Sequence, residues 1–545
     1  MKASIIFHSG SIWTGVSSHP RATTLAIHNG VIAAIGTDSQ LRTEIESATE
    51  VIDLHGRTLL AGFQDAHVHP VDGGLRGLIC DLSPASNATE CLDLVAAYIT
   101  THPDSEAIVG DGWLLEWFEG GTPTAVLLDS VVGNRIVFLT DADGHSAWVS
   151  SAALLAAGID KHTADPPAGR IERDGDGSPI GVLHDAAMER VRTLLPKISL
   201  EETTQALRLA QEHLLSLGIT AWQDAIVTPD IDAAYLELAA RNELFARVGL
   251  ALWWERDGDL DQFSELSRRR LRLEAAGIRA HWIKLMLDGV IETGTAWLLE
   301  PYLGSLAGPL GTHTGGPFFH FDVLNSIVMR METLGFQAHF HAIGDAAIRQ
   351  ALNAVAVARA ANPEVKNVRH QIAHVQVVDP DDIERFFHLG VVANLQTLWA
   401  CHEPQMDDLT IPVLGASRAL HQYPFESIRK SGARIACGSD WPVSSANPLE
   451  QIAVAVSREC KSSVEESRGS PFIGREALAL EDAIGAFTFG SAFANGIEEH
   501  SGTLAPSKWA DIVVLDQDLF HLPGPDIADV KVDFTLVGGK VVYER

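Results

Sequence analysis

The stretch that decides the fold is Asp65-Ala-His67-Val-His69, which closes an apolar, strand-like run. Side chains alternate along a strand, so His67 and His69 point to the same side and both can reach one ion. A hydrolytic metal site requires neutral imidazoles, a carboxylate and a coordination position that is left open for water. A single His-x-His pair arises easily by chance, so the rest of the chain must show whether this pair belongs to a metal site.

Residues with the same chemistry end further strand-like runs along the chain. They come in the order Lys284, His339-Phe-His341, His374 and Ser439-Asp440-Trp441. An ordered series of His-x-His, Lys, His, His and Asp, each after such a run, favours a metal site over coincidence.

Eight strand-like runs alternate with helical segments through the middle of the chain. This alternation predicts parallel βα units, and eight of them close into an α/β fold of the (β/α)8 TIM-barrel type. The metal-type residues lie at or just beyond the C-terminal ends of their runs, where barrel enzymes place their chemistry. The runs are 58–65, 220–224, 247–253, 282–287, 337–341, 368–374, 391–396 and 434–439.

Both ends of the chain read as short strands separated by turns, which predicts one small β-sandwich formed by the two termini. The long interval between the first two barrel runs predicts an inserted α/β subdomain over the barrel mouth, with 163–179 as an exposed loop or hairpin. We expect these divisions: 1–57 sandwich, 58–79 first barrel strand and loop, 80–215 insertion, 216–490 barrel, and 491–545 the rest of the sandwich.

Composition excludes several classes of function. The net charge of −31 argues against binding to nucleic acid or to an anionic membrane surface, which both require a basic footprint. No apolar run approaches the ~20 residues that span a bilayer, and no signal peptide is evident. Five cysteines without a Cys-x-x-Cys spacing predict reduced thiols in a cytoplasmic protein: Cys80, Cys91, Cys401, Cys437 and Cys460.

Taken together, these motifs resemble the amidohydrolase superfamily, and within it the amidohydrolase-3 group that includes YtcJ-like proteins and N-substituted formamide deformylases. The resemblance covers essentially the whole chain. Besides 62–70, it is carried by Asp-Gly-His-Ser-Ala-Trp at 143–148 and by the stretches 283–289, 341–348, 438–443 and 502–515. The chain departs from similar sequences at His339, where a small apolar residue is usual.

The resemblance implies a role for each metal-type residue. His67 and His69 would hold the more buried ion, and Lys284, carboxylated by CO2 to a carbamate, would bridge two ions. Asp440 would bind metal and act as the proton shuttle. We expect one or two divalent ions, foremost zinc, with the second held by His341 and His374.

The residues themselves leave Lys284 open. Burial in its apolar run would lower the pKa of the amine, and the neutral amine is the form that reacts with CO2. The alternative is a salt bridge to a barrel carboxylate.

Four residues are expected to bind substrate: His145, His339, Trp113 and Asp288. For His145 the alternative is a turn cap, and for Trp113 a place in the core. His339 is expected to line the pocket or to lie behind the ligands, and the alternative is that it binds metal directly.

The activity that the resemblance implies is hydrolysis of a non-peptide C–N bond in a small linear amide. The leading substrate is an N-substituted formamide, which would yield an amine and formate. The alternatives are hydrolysis of a cyclic amide, carbamate or ester, or a catalytically silent binding or scaffold protein. We expect a small-molecule substrate as the partner and a homodimer as the assembly.

Overall fold

The computed structural model describes residues 3–103, 105, 107–460 and 470–545. Within them, the largest element is an eight-stranded sheet in which neighbours in space are neighbours in sequence. All paired strands in it are parallel. The strands are Phe63–Val68, Ile219–Val227, Arg247–Trp253, Arg279–Met286, Gln337–Ala342, Gln371–His374, Val392–Leu395 and Ile435–Cys437.

Backbone hydrogen bonds bring the first strand and the residues after the eighth together. The N–H of Asp440 donates to the carbonyl of His67, and the N–H of His69 donates to the carbonyl of Trp441, each at 2.8 Å. These bonds close the sheet at its C-terminal rim. The predicted (β/α)8 barrel is therefore confirmed, and from here its strands are numbered 1 to 8.

A helix precedes strand 2, and further helices follow each later strand, packing their apolar faces on the outside of the sheet. Several begin with a proline in the first turn, where its missing N–H costs nothing. They are Leu200–Ser216, Pro229–Ala240, Gln262–Ala275, Phe321–Thr333, Asp345–Ala361, Pro380–Leu389, Phe425–Lys430 and Pro448–Ser457.

Alternation along the strands separates the core from the barrel interior. In strand 4, Ile283 and Leu285 join the apolar layer between sheet and helices. Lys284 lies between them and therefore faces the opposite side, which is the inside of the barrel. In strand 5, Phe340 joins the same apolar layer, so His339 and His341 face inward.

The predicted first run, 58–65, is in fact two strands. Thr58–Ala61 pairs with Ser11–Trp13 and Ile512–Leu515 outside the barrel, and strand 1 begins only after Gly62. A Cβ atom on Gly62 would lie 2.4 Å from the side chain of Thr220, so the chain changes sheets where only glycine fits. An uninterrupted apolar run gives no sign of such a break.

Both ends of the chain contribute to two further sheets that share one apolar core, which includes Leu25, Ile27, Leu59 and Val514. The four-stranded sheet contains Ile5–His8, Thr24–His28, Val31–Gly36 and Glu50–Asp53. The six-stranded sheet contains Ser11–Trp13, Arg21–Ala22, Thr58–Ala61, Ile512–Leu515, Val532–Val537 and Lys540–Glu544.

The segment between strand 1 and strand 2 contains a sheet of its own, and the stretch predicted as a loop or hairpin forms part of a hairpin. The strands are Cys80–Asp81, Ala107–Trp113, Ile136–Asp141, Ser146–Val149, Gly169–Arg173 and Pro179–Asp185. The helices are Ala88–Thr101, Ala125–Val132, Ser151–Ala156 and Glu189–Arg192.

Two helices pack on the barrel, although the predicted boundaries assign them to the neighbouring parts of the chain. Leu200–Ser216, assigned to the insertion, buries Leu207 and Leu214 in the barrel core. Ser491–Ala494, assigned to the terminal sheets, is tied to strand 8, because the hydroxyl of Ser491 donates to the carbonyl of Cys437 at 2.8 Å. The pattern of an amphipathic helix does not show on which sheet the helix packs.

Other short helices are Arg42–Ser47, Pro70–Leu75, Ile411–Leu414, Ala416–Ala419 and Leu480–Gly485.

The prediction of five reduced cysteines is wrong for one pair. Cys401 and Cys460 form a disulfide, whereas Cys80, Cys91 and Cys437 are free and buried. The two bonded residues are 59 positions apart and follow strands 7 and 8, which are neighbours in the barrel, so spacing in the sequence could not reveal the pair. None of the described helices is both long and apolar enough to cross a membrane.

Candidate metal centre

Three predicted ligands meet where strands 1 and 8 approach each other. Oδ1 of Asp440 lies 3.2 Å from Nε2 of His67 and 2.9 Å from Nε2 of His69. The approach is close because residue 438 is glycine: a Cβ atom there would lie 2.5 Å from the backbone nitrogen of His67. All three side chains are at least seven-eighths buried.

His374 enters the centre from the end of strand 6. Its φ of 77° turns the side chain away from the direction that strand alternation would give it. The ring lies 4.9 Å from that of His67, 4.4 Å from that of His341, and stacks on Trp399 at 5.5 Å. Asp440 also has a positive φ, 56°, so backbone turns beyond the strands bring two of the predicted ligands inward.

Lys284 and His341 complete the predicted set. Nζ of Lys284 lies 3.4 Å from Nε2 of His67, and the side chain is almost fully buried. Nε2 of His341 lies 3.3 Å from the carbonyl of Gly289. A proton on that nitrogen satisfies the carbonyl and leaves the Nδ1 lone pair for a ligand. The six residues predicted as metal ligands therefore surround one region of the barrel mouth.

The donor chemistry of this region fits a divalent cation. Ligand atoms of His67, His374 and Asp440 all lie within 4.8 Å of one another. Nδ1 of His69 and both ring nitrogens of His374 are buried without a hydrogen-bond partner in the described structure. Buried nitrogens are costly when they are left unsatisfied, and a coordinated ion satisfies them.

Electrostatics favour the same role. Burial, and next the charge of Lys284, lower the pKa of His67 to about 3, so that its ring is neutral as a ligand must be. Burial likewise lowers the pKa of His374 well below its usual value. For Asp440, burial raises the pKa, but the interactions with His67 and His69 lower it by more than burial raises it. The pKa is therefore well below its usual value, and the carboxylate stays ionised. Burial lowers the pKa of Lys284 to about 8, against the opposing effect of Asp440.

Comparison with known proteins identifies the family. The model of the amidohydrolase family matches residues 50–543. The chain belongs to that family. This amidohydrolase is 30% identical to the putative amidohydrolase YtcJ of Bacillus subtilis over 557 residues, which cover 100% of both chains. It is 26% identical to N-substituted formamide deformylase of Arthrobacter pascens, over 96% of this chain and 95% of that one.

A solved structure supports the same assignment. An uncharacterised metal-dependent hydrolase from Pyrococcus furiosus superposes with a TM-score of 0.69 at 25% identity, covering 94% of this amidohydrolase and 99% of that chain. The resemblance to the amidohydrolase-3 group is confirmed, and the coarse activity is that of a metal-dependent hydrolase family.

The insertion of this amidohydrolase supplies His145 to the mouth of the centre. Nδ1 of His145 lies 2.6 Å from Oδ1 of Asp185, and its ring lies 5.3 Å from that of His341. Burial lowers the pKa of His145, but the charge and hydrogen bond of Asp185 outweigh it and raise the pKa to about 9. The pair with Asp185 leaves Nε2 as the other N–H donor.

His339, which was predicted to bind substrate, lies behind the ligands. It is fully buried, and its Nε2 is 2.7 Å from Nδ1 of His67. Its Nδ1 is 2.5 Å from Oε1 of Gln223. Of the two roles expected for His339, support of a ligand matches this geometry, whereas contact with substrate does not.

Two other predicted substrate contacts are not supported. Both carboxylate oxygens of Asp288 accept backbone N–H groups, from residues 297, 343 and 344, so that Asp288 braces the loops after strands 4 and 5. Trp113 lies fully buried in the core of the insertion, where its Nε1–H donates to the carbonyl of Leu139. Its contacts with Trp148 and Phe118 are those of a core residue.

Sequence reasoning missed the residues that hold the ligands in place. Asp185 ends the strand Pro179–Asp185, just beyond the stretch 163–179 that was predicted as an exposed loop or hairpin. Amide side chains occupy inward positions on strands 2, 6 and 7 or directly after strand 7, and an uncharged polar residue inside an apolar run was their only sign in the sequence. They are Gln223, Gln371, Asn394 and Gln396.

Proposed function

We propose that this protein hydrolyses a non-peptide C–N bond in a small linear amide, using water that is activated by one or two divalent ions, most simply zinc. The leading substrate is an N-substituted formamide, cleaved to an amine and formate. One observation carries the proposal: imidazoles with unsatisfied nitrogens, an ionised carboxylate and a buried lysine converge at the C-terminal rim of the barrel.

Each ligand has an assigned task. His67 and His69 would hold the more buried ion together with Asp440, and His374 and His341 would hold the second. Imidazoles with one carboxylate are ligands typical of catalytic zinc, which is why we name that metal. When bound, the ion lowers the pKa of a water molecule to ~7 and polarises the carbonyl group of the substrate.

Asp440 moves the proton. It is ionised, it lies within 4 Å of three imidazoles, and it is held by its backbone to strand 1. The carboxylate accepts a proton from the attacking water and returns it to the leaving nitrogen, so that the amine departs neutral. No side-chain nucleophile is required.

Lys284 is proposed to react with CO2 to form a carbamate, which would bridge two ions. Its lowered pKa leaves a usable fraction of neutral amine at neutral pH. Because Nζ lies 3.4 Å from His67, a carboxylate added there would point into the ligand cluster.

His145 is proposed to orient the substrate. With Nδ1 committed to Asp185, its Nε2–H can donate to the carbonyl oxygen or to the leaving group of an amide at the centre. The insertion would thereby complete the site over the barrel, and water would have limited access once substrate binds.

The choice of a formamide rests on similarity to the formamide deformylase, and 26% identity leaves the acyl and amine pockets to be tested. The alternatives are a cyclic amide, a carbamate or an ester. The decisive experiment is a panel of N-substituted formamides, acetamides, hydantoins, carbamates and esters, assayed with the zinc-loaded protein and with the His69→Ala variant as control. Preference for formamides that is lost in the variant supports the proposal. Turnover of another class alone would redirect it.

The small-molecule substrate, the homodimer and the cytoplasmic location stay predictions. Sedimentation of the purified protein at several concentrations would test the dimer, because a dimer must dissociate reversibly on dilution.

A further inference from the structure

A continuous chain of hydrogen bonds runs through the barrel interior beneath the metal centre. It starts at His67, whose Nδ1 lies 2.7 Å from Nε2 of His339. Nδ1 of His339 in turn lies 2.5 Å from Oε1 of Gln223. Three more amide side chains continue it, and all its side chains are almost completely buried. These three are Gln371, Asn394 and Gln396.

The chain ends at a second predicted ligand. Nε2 of Gln371 lies 2.5 Å from Oε1 of Gln223. Nδ2 of Asn394 lies 3.0 Å from Oε1 of Gln371, and Nε2 of Gln396 lies 3.2 Å from Oδ1 of Asn394. Finally, Oε1 of Gln396 lies 2.7 Å from the backbone nitrogen of His374. Five side chains therefore link the ring of His67 to the backbone of His374 through the barrel.

Backbone groups fix the direction of these bonds. The oxygen and nitrogen of an amide side chain, or the two tautomers of a histidine, can be exchanged without changing its shape, whereas backbone groups cannot. The N–H of His374 can only donate, so Gln396 presents its oxygen there. Its nitrogen then faces the carbonyl of Gly438 at 3.3 Å, and the nitrogen of Asn394 faces the carbonyl of Ala66 at 2.8 Å. Reversing either amide would oppose like groups.

Because the orientations of Gln396 and Asn394 are fixed, the donor and acceptor atoms of the remaining side chains in the hydrogen-bond chain are fixed as well. Asn394 donates to the oxygen of Gln371, so Gln371 donates from its nitrogen to Oε1 of Gln223. That oxygen has two lone pairs, and the second accepts from Nδ1–H of His339, which lies 3.2 Å from the Gln371 nitrogen. His339 therefore carries its proton on Nδ1 and presents a lone pair on Nε2.

His67 must then donate from Nδ1, which leaves the lone pair on its Nε2. This is the nitrogen that faces Asp440 at 3.2 Å and Lys284 at 3.4 Å. We propose that the buried chain is a positioning device that selects the Nε2 ligand tautomer of His67, with His339 as the residue that acts on it. A hydrogen bond to the far nitrogen of a ligand histidine fixes its ring and raises its basicity.

The inference rests on the metal site of the proposed function but not on its substrate. Zinc affinity is measured first for the wild-type chain, after removal of metal with a chelator, by competition with a chromogenic chelator. Failure of the wild-type chain to bind zinc would overturn the metal site itself. Normal wild-type binding with unchanged variants would overturn only the positioning role.

Two substitutions at one position separate polarity from packing. His339→Leu removes the acceptor and should weaken zinc binding about 10- to 100-fold, the range found when such outer partners of ligands are lost. His339→Gln keeps an acceptor for His67 and a donor for Gln223, so it should restore most of the affinity. Equal losses in both variants would contradict the proposal, as would unchanged affinity in His339→Leu or loss of a whole equivalent of zinc.

His370 provides the matched control. It is equally buried in the neighbouring strand region, but its hydrogen bonds go outward, to the backbone nitrogen of Ala338 at 2.9 Å and to Glu332 at 3.1 Å. His370→Leu should lower stability without changing zinc affinity. A loss equal to that of His339→Leu would show that burial alone explains the effect.

Gln223→Leu tests the chain one step further away and serves if His339→Leu does not fold. It leaves His339 in place but removes the acceptor of its Nδ1 proton, so both tautomers become accessible. We expect zinc binding to weaken about tenfold. Because both residues act through one path, the double variant with His339→Leu should bind zinc no more weakly than His339→Leu alone. Additive losses, or wild-type affinity in Gln223→Leu, would overturn the proposal.

Discussion

At the scale of the residue, the candidate site depends on which atom each side chain presents. Asp440 is the central case, because one of its oxygens lies within 3.2 Å of two imidazoles, and its pKa is held well below the usual range. A carboxylate in this position can both hold a cation and take a proton from water beside it. His145 contributes from the opposite side, with one nitrogen occupied by Asp185 and the other available.

Asp440→Asn tests the proton transfer directly. The amide keeps the shape and one oxygen but removes the base, so part of the metal affinity should survive while kcat falls by ~10²–10⁴. Metal content and kcat are measured on the same preparation. Turnover within a few-fold of wild type would place the base elsewhere, and His145 is then the next residue to replace.

Lys284→Ala tests the bridging carbamate. Removal of the amine should abolish activity, and short carboxylic acids added with zinc should restore part of it by supplying the missing bridge. Crystals grown with zinc and bicarbonate give the second measurement. An unmodified amine paired with a carboxylate in such crystals would favour a salt bridge and a single ion.

At the scale of the element, the sequence predicts which side of a strand a side chain faces. It does not predict where a single residue leaves the strand conformation and turns its side chain the other way. Alternation along strands predicts that His67 and His69 share one side and that His339 and His341 share one side, and in the structure each pair faces the barrel interior or its mouth. His374 reaches the centre through a positive φ of 77°, which alternation does not predict. The place of His374 at the end of a strand-like run, not alternation within that run, marked it as a candidate ligand.

The same reasoning could not predict that the buried amide side chains face inward, or that the chain passes from one sheet to another at Gly62. Gln223 and Asn394 lie on strand-like runs, where a polar residue is equally compatible with an outward position. The exchange of sheets at Gly62 follows from close contact with Thr220, which is distant in sequence. Interactions between remote segments decide both features, and one sequence records them only indirectly.

Asp38, which follows the strand Val31–Gly36, offers a test of the stability of the four-stranded terminal sheet. Burial raises its pKa, but bonds from the hydroxyls of Thr24, Thr23 and Ser9 and from the Ser9 backbone lower it to about 2. The pKa is lowered in the folded state, so the stabilisation is complete above the unfolded value of 3.8 and is lost as the pH falls through about 2. Discounted for partial exposure, it is about 1–2 kcal/mol.

Asp38→Asn should therefore lower the free energy of unfolding of the terminal sheets by that amount at pH 7. The difference from wild type should shrink as the pH approaches 2. Urea titrations at several pH values measure it. A difference that does not vary between pH 7 and pH 2.5 would show that the carboxylate is not stabilised in the folded state.

At the scale of the whole molecule, two parts of the chain meet at one centre, and a third leads into it. The barrel supplies the ligands, the insertion supplies His145 and Asp185, and the sheets formed by both ends lead into strand 1. The disulfide between Cys401 and Cys460 joins the loops that follow strands 7 and 8, close to the same rim. The buried amide chain connects strands across the barrel, so that the ligand geometry depends on the closed barrel as a unit.

The measurement that tests the central claim most directly is the metal content of the purified chain, by inductively coupled plasma mass spectrometry, after zinc loading and removal of free ion. We expect about one to two zinc equivalents per chain in the wild type and in the His370→Ala control. His67→Ala and His69→Ala should each lose at least one equivalent together with hydrolase activity, with circular dichroism unchanged. Folded variants that keep the wild-type zinc content and activity would contradict the metal centre on which the whole account rests.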